Sequence, residues 1–215
     1  MLSVLLLCIS MLAAIIYGVG TSSELMHSLM MHTAPPAQTG LPAEQYQPMA
    51  QMITSYLKGN GSFQLIFTAG GNEYAAFNQK EQTHMADVQQ LFQLCSHVSL
   101  GSAILTLVGW LTTHRKPSFW RIVRRTVFSI LVYVTILALL ACIDFDSLFI
   151  LFHKVAFTND LWLLNPQTDL LIRLMPIEFF ISYAAIIGGL WLLGMVGLLV
   201  ISTIIINKLN KPKGE

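Results

Sequence analysis

The six histidines are the side chains of this sequence best suited to acid–base chemistry. The sequence contains no G-x-S-x-G, H-E-x-x-H or C-x-x-C motif and no Walker phosphate-binding loop, which removes the familiar nucleophile and metal patterns. His114 lies among basic residues, where a solvated role is expected, and the stretch with His27 and His32 is typical of a surface turn. His84 and His153 are therefore the main candidates for catalysis.

His84 lies in the stretch QTHMADV, where Asp87 follows at i+3. On a helix this spacing places both side chains on one face. A carboxylate beside an imidazole holds its tautomer and raises its basicity, which is the usual arrangement of a general base. The spacing also fits a structural or exposed histidine, so it does not decide the role by itself.

His153 is an ionisable residue within the apolar stretch LFILFHKVAF. Ionisable groups at membrane depth are costly and often mark a functional site. The alternative is a histidine that reaches from an interfacial helix toward water. If both histidines face the same side of the membrane, they can meet in one site.

The elements that carry these histidines belong to a membrane protein. Hydrophobic residues make up 54% of the chain and charged residues 11%, and the mean hydropathy is +0.63. Globular domains average about 25% charged residues. A spanning helix needs about 20 mainly apolar residues, and four runs approach or exceed that length: 2–19, 98–111 with its apolar lead-in, 126–143 and 179–206. The first run lacks a basic start and a clear cleavage site, so we expect an uncleaved first span.

The basic residues predict the orientation. The segment THRKPSFWRIVRR carries five and the tail NKLNKPKGE three of the 12 Lys and Arg residues, and such segments are cytoplasmic by the positive-inside rule. Both termini are then cytoplasmic. The predicted order is a transmembrane helix at 1–20, an extracytoplasmic cap at 21–96, transmembrane helices at 97–113 and 126–143 joined by a basic cytoplasmic loop at 114–125, an outer interfacial segment at 144–177, a fourth transmembrane helix at 178–206, and a cytoplasmic tail at 207–215.

The cap has a pattern of its own. EQYQPMAQMITSYLKGNG predicts a short amphipathic helix that stops at Gly59–Gly61, and SFQLIFT and EYAAFN predict a hairpin joined by AGGN. Thr83 is the expected cap of the helix that leads into the second span. In the outer segment, Asn165 and Pro166 are typical of a helix start. The predicted fold is a mainly α membrane protein with four transmembrane helices and a small α+β cap.

Two other functions of these polar residues are also compatible with the sequence. His84, Asp87, His97 and His153 could ligate zinc in a membrane hydrolase, although His97 lies about 20 Å along a helix from His84. A scaffold or transporter is less favoured because transporters place polar features near the midplane, whereas these spans are almost free of charge. The three cysteines predict no disulfide framework, and a Cys95–Cys142 bond stays open.

The two histidine stretches together carry a family resemblance. H-M-x-D-V at His84 and F-H-x-x-x-F-x-N-x-x-W at His153, followed by P-x-x-D-x-L-I, resemble the family of bacterial membrane proteins typified by the lipoprotein intramolecular transacylase. The resemblance covers nearly the whole chain in length and topology. A paralogous branch shares these motifs, so the resemblance indicates an activity rather than a physiological role.

The resemblance implies an acyltransferase at the outer face of the cell membrane of Gram-positive bacteria. Its substrate would be a diacylglyceryl lipoprotein, whose sn-2 acyl chain moves to the α-amine of the N-terminal cysteine to give the N-acyl lyso form. His84 and His153 match the two essential histidines of the family. We expect His84 to be the better base and His153 to act near the ester carbonyl, with the reverse assignment open.

Further site residues follow from the same motifs. Asp87, Asn159, Trp162 and Asp169 are expected to support the site, and Arg173 either binds a lipid phosphate or pairs with Glu178. Because ester and amine belong to one molecule, the reaction requires no cofactor or metal. The expected partners are the lipoprotein and membrane lipids, with no nucleic acid, and the expected state is a monomer.

Overall fold

The chain is mainly helical. The computed structural model describes residues 1–69, 72–114 and 116–209. The elements within these ranges are α1 (Leu2–Gly20), α2 (Ser23–Thr33), α3 (Pro36–Thr39), a 3₁₀ turn (Ala43–Gln45), α4 (Tyr46–Leu57), β1 (Ile66–Ala69), β2 (Asn72–Ala75), α5 (Gln79–Thr113), α6 (Pro117–Ile143), α7 (Phe145–Ala156), α8 (Leu170–Leu174) and α9 (Ile177–Leu209).

Four of these helices, α1, α5, α6 and α9, are long and apolar enough to cross a membrane. The expected mainly helical fold with four apolar spans is therefore confirmed. The 35 residues of α5 extend about 50 Å, whereas the hydrocarbon core of a bilayer is about 30 Å thick. α5 is thus longer than a span requires, and its first turns, which carry His84, belong to the extra length.

The chain divides into two compact units. The first unit comprises Met1–Ile15, Ser96–Asp144 and Ile186–Glu215, and the second comprises Ile16–Cys95 and Phe145–Ala185. The first unit is built from parts of the four long helices. Its buried apolar cluster consists of Val4, Cys8, Val123, Val127, Trp191 and Met195.

Two contacts show how closely the helices of the first unit pack. The Trp191 indole N–H donates to the Cys8 carbonyl at 3.1 Å. A Cβ at Gly109 would lie 2.2 Å from the Ser3 hydroxyl oxygen, so glycine allows α1 and α5 to approach each other there.

The second unit packs α2 against α4. Four apolar side chains at helical spacing form the buried face of α4, namely Met49, Ala50, Ile53 and Leu57. Gln89 and Gln93 of α5 donate to the carbonyls of Tyr56 and Leu57, which are among the last four carbonyls of α4. The chain turns away at Gly59, whose φ of 89° favours glycine.

The strand content of the second unit is one short hairpin within the described residues. β1 and β2 pair antiparallel, with Ile66 opposite Ala75. The two glycines expected to form the turn, Gly70 and Gly71, lie outside the described residues, as do the basic residues Arg115, Lys211 and Lys213.

Two helix starts differ from the predictions. Thr83 does not cap α5, because the helix begins at Gln79 and the Thr83 hydroxyl donates to the Gln79 carbonyl inside it. Asn165 does not cap a helix either. Its carbonyl accepts from the backbone N–H groups of Thr168 and Asp169 in a turn, and α8 begins only at Leu170. In both places a neighbouring polar residue with tertiary contacts occupies the capping position.

The cysteines are free thiols. Cys8 is buried, Cys95 is half-buried and Cys142 is exposed. The structure therefore does not contain the Cys95–Cys142 bond that the sequence left open.

Candidate active site

The structure brings His84 and His153 together within the second unit. His84 lies in the second turn of α5 and His153 in the last turn of α7, and their ring centroids are 6.3 Å apart. Only 6% of His84 and 7% of His153 is exposed. Two buried imidazoles at this distance can act on neighbouring atoms of one substrate.

The tautomer of His153 follows from its hydrogen bond. Its Nδ1 lies 2.7 Å from the Phe149 carbonyl oxygen, one turn earlier on α7. Because a carbonyl only accepts, Nδ1 must carry the hydrogen, and in the neutral ring Nε2 then has a free lone pair. Burial lowers the pKa of His153 below its ordinary value, and the hydrogen bond to Phe149 opposes that shift. The ring is thus a neutral base at pH 7.

Aromatic side chains surround His153. The ring centroids of Phe149, Trp162 and Phe157 lie 4.1, 5.0 and 5.6 Å from that of His153. Phe157 also meets the His84 ring edge-on at 5.2 Å. These rings exclude water from the pair, which is the physical cause of the lowered His153 pKa.

His84 lacks the direct carboxylate partner that its spacing suggested. Its Nδ1 is buried and has no hydrogen-bond partner among the described residues. The Asp87 carboxylate instead accepts from the Asn159 side-chain amide at 2.9 Å. Asp87 therefore shares the helical face of His84, as expected, but its hydrogen bond goes to the segment that follows α7.

Asn159 ties that segment to α5. Its amide group donates to Asp87, and its carbonyl oxygen accepts from the Leu161 backbone N–H at 3.1 Å. The two bonds hold the turn immediately before Trp162, which packs on His153. Asn159 and Trp162 thus lie at the histidine pair, whereas Asp169 acts through a separate network.

Asp169 belongs to a hydrogen-bond network at the start of α5. Its carboxylate accepts from the Asn78 amide at 2.8 Å, the Thr168 hydroxyl at 2.9 Å and the Asn165 backbone N–H at 2.7 Å. Burial alone would raise the pKa of Asp169, but these hydrogen bonds and the Lys80 charge outweigh it and lower the pKa below its ordinary value. Asp169 is therefore a carboxylate that orders the backbone.

Glu81 is the residue in this network that the sequence interpretation missed. It is 1% exposed, and its carboxylate accepts from the backbone N–H groups of Asn78 at 2.7 Å and Leu171 at 2.6 Å. The Asn78 side chain in turn accepts from the Glu81 N–H, which completes a reciprocal cap. The pattern N-x-x-E, one turn before His84, is the sequence signal that could have identified it.

Arg173 does not form the ion pair with Glu178 that was one of its two expected contacts. Its guanidinium donates to the Thr39 carbonyl at 3.3 Å, and no ion pair with Glu178 occurs among the contacts of the described residues. Its Nε is buried without a partner. The contacts assign Arg173 to the packing of α8 on the segment around Thr39.

An open groove of about 520 Å³ begins beside the histidine pair. Phe157 and Trp162, which both contact His153, line it together with Lys154, Asn159 and Ile150. Its walls are therefore partly apolar and partly polar. The exposed apolar side chains of α7 continue this surface, namely Ile150, Leu151, Phe152 and Val155. Such a groove suits a ligand with both an acyl chain and a polar head.

The zinc alternative lacks its ligand set in the structure. Across the described ranges, no three His, Cys, Asp or Glu side chains converge as metal ligands. His97 is exposed, and it lies 13 residues beyond His84 on the continuous helix α5.

The comparisons with known proteins agree with one another. The model of the family described as lipoprotein intramolecular transacylase Lit matches residues 1–180. A structure of the membrane integral lipoprotein intramolecular transacylase Lit from Bacillus cereus is similar, with a TM-score of 0.82 and 19% identity over 96% of this chain and 94% of that one.

Two further structures of the Bacillus cereus transacylase, in which a histidine is replaced by arginine or by alanine, match with a TM-score of 0.72 and 19% identity. They cover 96% of this chain and 90% and 91% of theirs. No curated protein matches. At this identity the structural matches show the shared fold.

Proposed function

Because the chain belongs to the lipoprotein intramolecular transacylase family, we propose that His84 and His153 carry out the proton transfers of an acyl transfer within one lipoprotein molecule. The chain is an acyltransferase of the membrane. The observation that carries the assignment of residues is the 6.3 Å separation of two buried imidazoles beside an open groove.

The reaction starts from a diacylglyceryl lipoprotein with a free α-amine. The amine nitrogen attacks the carbonyl carbon of the sn-2 ester and loses one proton. The bond from that carbon to the glycerol oxygen then breaks, and the oxygen gains one proton. The product is the N-acyl lyso lipoprotein, and atoms and protons balance within a single substrate.

Intramolecularity accounts for much of the expected rate. When two reacting groups of one molecule are well oriented, the effective molarity reaches about 10⁵ M or more. Site residues then mainly need to orient the substrate and move protons. The groove beside Trp162 and Lys154 would hold the acyl chain and the polar head in register with the histidines.

His153 is the base in this scheme, which reverses the order expected from sequence. Its hydrogen bond to Phe149 leaves Nε2 free to accept a proton, and its lowered pKa keeps the ring neutral. His84, whose buried Nδ1 lacks a partner, would donate a hydrogen bond to the oxyanion or the leaving oxygen. Asp87, Asn159, Trp162 and Asp169 act by positioning these two rings.

We also propose the orientation that the basic residues favour. Both termini would be cytoplasmic, and the active site would face the outside together with a small α+β cap formed by 21–96. The hairpin of β1 and β2 and the helices α2 and α4 support such a cap. Membrane lipids would bound the site, and the protein would act as a monomer.

The test is the acyl position on a reporter lipoprotein. The protein is expressed in a host whose lipoproteins remain diacylated, and mass spectrometry reads the reporter's N-terminal peptide. We expect N-acyl lyso product with the natural chain and a loss of about 10²- to 10⁴-fold in each of His84→Ala and His153→Ala. His97→Ala, an exposed histidine on the same helix as His84, is the matched control and should keep its activity.

Two results would contradict the proposal. An unchanged acyl position with the natural protein would refute the activity, and full activity in both histidine variants would refute the assignment of residues.

A further inference from the structure

The first unit contains a second cavity, of about 330 Å³, whose walls come from all four long helices. Trp110 at the end of α5 and Trp120 at the start of α6 line it, and we call it the tryptophan cavity. Its other walls reach along α1 from Ser3 to Ser10 and along α5 to Ala103. At 1.5 Å per residue, these helix segments extend the cavity about 10 Å from the tryptophans.

A hydrogen bond and a ring contact hold the two indoles at one end of this cavity. The Trp120 indole N–H donates to the His114 carbonyl at 2.7 Å, and the His114 ring stacks on Trp110 at 4.4 Å. Tryptophan is typical of the boundary between hydrocarbon and headgroups because it has an apolar body and a polar N–H. We therefore infer that the turn between α5 and α6 lies at the headgroup level of the bilayer.

Two hydroxyl groups of the cavity wall are already paired within the protein. The Ser10 hydroxyl donates to the Ser99 carbonyl at 2.8 Å, and the Thr106 hydroxyl donates to the Ser3 carbonyl at 3.4 Å. Most of the remaining wall is apolar, with Leu7 among its residues. A hydrocarbon chain fits such a wall, whereas a polar ligand would lose its hydrogen bonds to water there.

The end of the cavity with the tryptophans is strongly basic. Lys116 is the N-cap of α6, and Arg121, Arg124 and Arg125 follow in its first turns. Arg124 is half-buried and directly follows Val123, a residue of the cavity wall. It also lies four residues after Trp120, on the same face of the helix.

The described part of the first unit offers these arginines no nearby acidic side chain. Its acidic residue is Asp144, at the opposite end of α6. It lies about 28 Å along the helix from Arg125, well beyond the Debye length of about 10 Å. An external anion would therefore gain the full attraction of the arginines.

We propose that the tryptophan cavity binds an anionic glycerophospholipid. The lipid phosphate contacts Arg121 and Arg124, and the first part of one acyl chain lies between Trp110 and Trp120 and extends toward Ala103. The uncompensated charge selects an anionic lipid over a zwitterionic one, and the apolar wall selects a lipid over a soluble phosphate. This site is independent of the histidine pair and of the proposed reaction.

Fluorescence quenching by brominated lipids tests the site. A Trp162→Phe/Trp191→Phe variant leaves Trp110 and Trp120 as the reporters and is placed in nanodiscs of phosphatidylcholine. Acyl-brominated phosphatidylglycerol or acyl-brominated phosphatidylcholine is then added in increasing amounts. We expect phosphatidylglycerol to reach half-maximal quenching at a mole fraction at least about fivefold lower, the effect of one arginine near an anionic lipid.

Variants separate the charge from the cavity. Arg121→Gln/Arg124→Gln should remove the preference for phosphatidylglycerol, whereas Lys58→Gln, which removes an exposed charge in the second unit, should not. Ala103→Phe fills the cavity and should weaken quenching, whereas Ala138→Phe, on the exposed side of α6, is its matched control. Native mass spectrometry of the natural chain supplies a second measurement, with retained phosphatidylglycerol expected after exchange into mixed lipids.

Three results would overturn the proposal. These are equal quenching by the two lipids, a preference that survives in Arg121→Gln/Arg124→Gln, and unchanged quenching in Ala103→Phe.

Discussion

The chemistry of His153 is determined by its immediate surroundings. Three phenylalanine rings and one tryptophan ring lie around the imidazole, and one backbone carbonyl fixes its tautomer. Burial disfavours the charged form of the ring, so its pKa lies below the ordinary value of about 6.5. The same surroundings therefore supply both a free Nε2 and a neutral ring at physiological pH.

This environment predicts a particular pH profile. Below about pH 8 the substrate amine becomes protonated, and kcat/KM should fall with a slope of one in log units. His153 takes up its proton only below its lowered pKa. The slope of log kcat/KM against pH should therefore increase from one to two only below about pH 6.5. His84 lies in the same site, so the pKa obtained from this steeper part of the profile belongs to the pair of rings and not to His153 alone.

The profile is measured with a synthetic lipopeptide in detergent. Phe157→Ala admits water to the pair, so the charged form of the ring is less disfavoured. The pH at which the slope increases to two should therefore rise toward 6.5. A slope that already increases to two above pH 6.5 in the natural protein would contradict the proposal that burial lowers the His153 pKa.

The Asp87–Asn159 hydrogen bond is the second feature at the scale of single residues. If Asp87 acts mainly by holding Asn159, then Asp87→Asn, Asn159→Ala and the double variant should lose similar activity. We expect a coupling of about 1 kcal/mol, or roughly fivefold in rate, from the double-mutant cycle. Glu73→Gln, an exposed carboxylate on β2, controls for charge. Additive losses would instead indicate that Asp87 acts on His84 independently of Asn159.

At the scale of elements, the start of α5 determines where His84 lies. Glu81 receives hydrogen bonds from Asn78 and from the first turn of α8, and Asp169 receives one from the Asn78 side chain. A helix N-terminus has unpaired N–H groups that need such acceptors. Here Glu81 also accepts from the backbone N–H of Leu171, 90 positions later in the chain, so the start of α5 and its contact with α8 are stabilised together.

Removal of the Glu81 carboxylate should therefore affect both stability and activity. Glu81→Ala leaves two backbone N–H groups without their acceptor, and we expect a loss of about 1–3 kcal/mol of unfolding free energy. Denaturant unfolding in detergent measures the loss, and the reporter assay should show lower activity because His84 is less well held. Gln79→Ala, an exposed change in the same turn, should leave both values unaltered. A stable and fully active Glu81→Ala would show that the network does not position the site.

At the scale of the whole molecule, the four apolar helices and the basic residues together predict the topology. Three of the long helices exceed the length of a span, namely α5 with 35 residues, α9 with 33 and α6 with 27. The extra length gives these helices turns outside the hydrocarbon layer, where polar side chains such as those around His84 can be accommodated.

Thiol labelling tests the proposed orientation. In a variant with all three cysteines changed to serine, Lys58→Cys and Lys208→Cys introduce single exposed thiols. A membrane-impermeant maleimide should label the first in intact cells and the second only after permeabilisation. Labelling of Lys208→Cys in intact cells would reverse the proposed topology.

The sequence by itself determined the class of fold. Four apolar runs require spanning helices because backbone groups in lipid must pair within the segment, and the motifs around His84 and His153 indicate the family. The amphipathic pattern of α4 and the two glycines after it were also sufficient to predict that helix. These features depend on local composition and spacing, which a sequence displays directly.

Only the tertiary structure decided which distant polar groups meet. Asp87 pairs with Asn159 rather than His84, Glu81 accepts from the Leu171 N–H, and Arg173 contacts Thr39. Each of these contacts joins segments far apart in the chain. A side chain's spacing restricts its neighbours within one helix, but the choice among distant partners depends on packing, because a buried polar group is bonded by whichever acceptor or donor the fold brings to it.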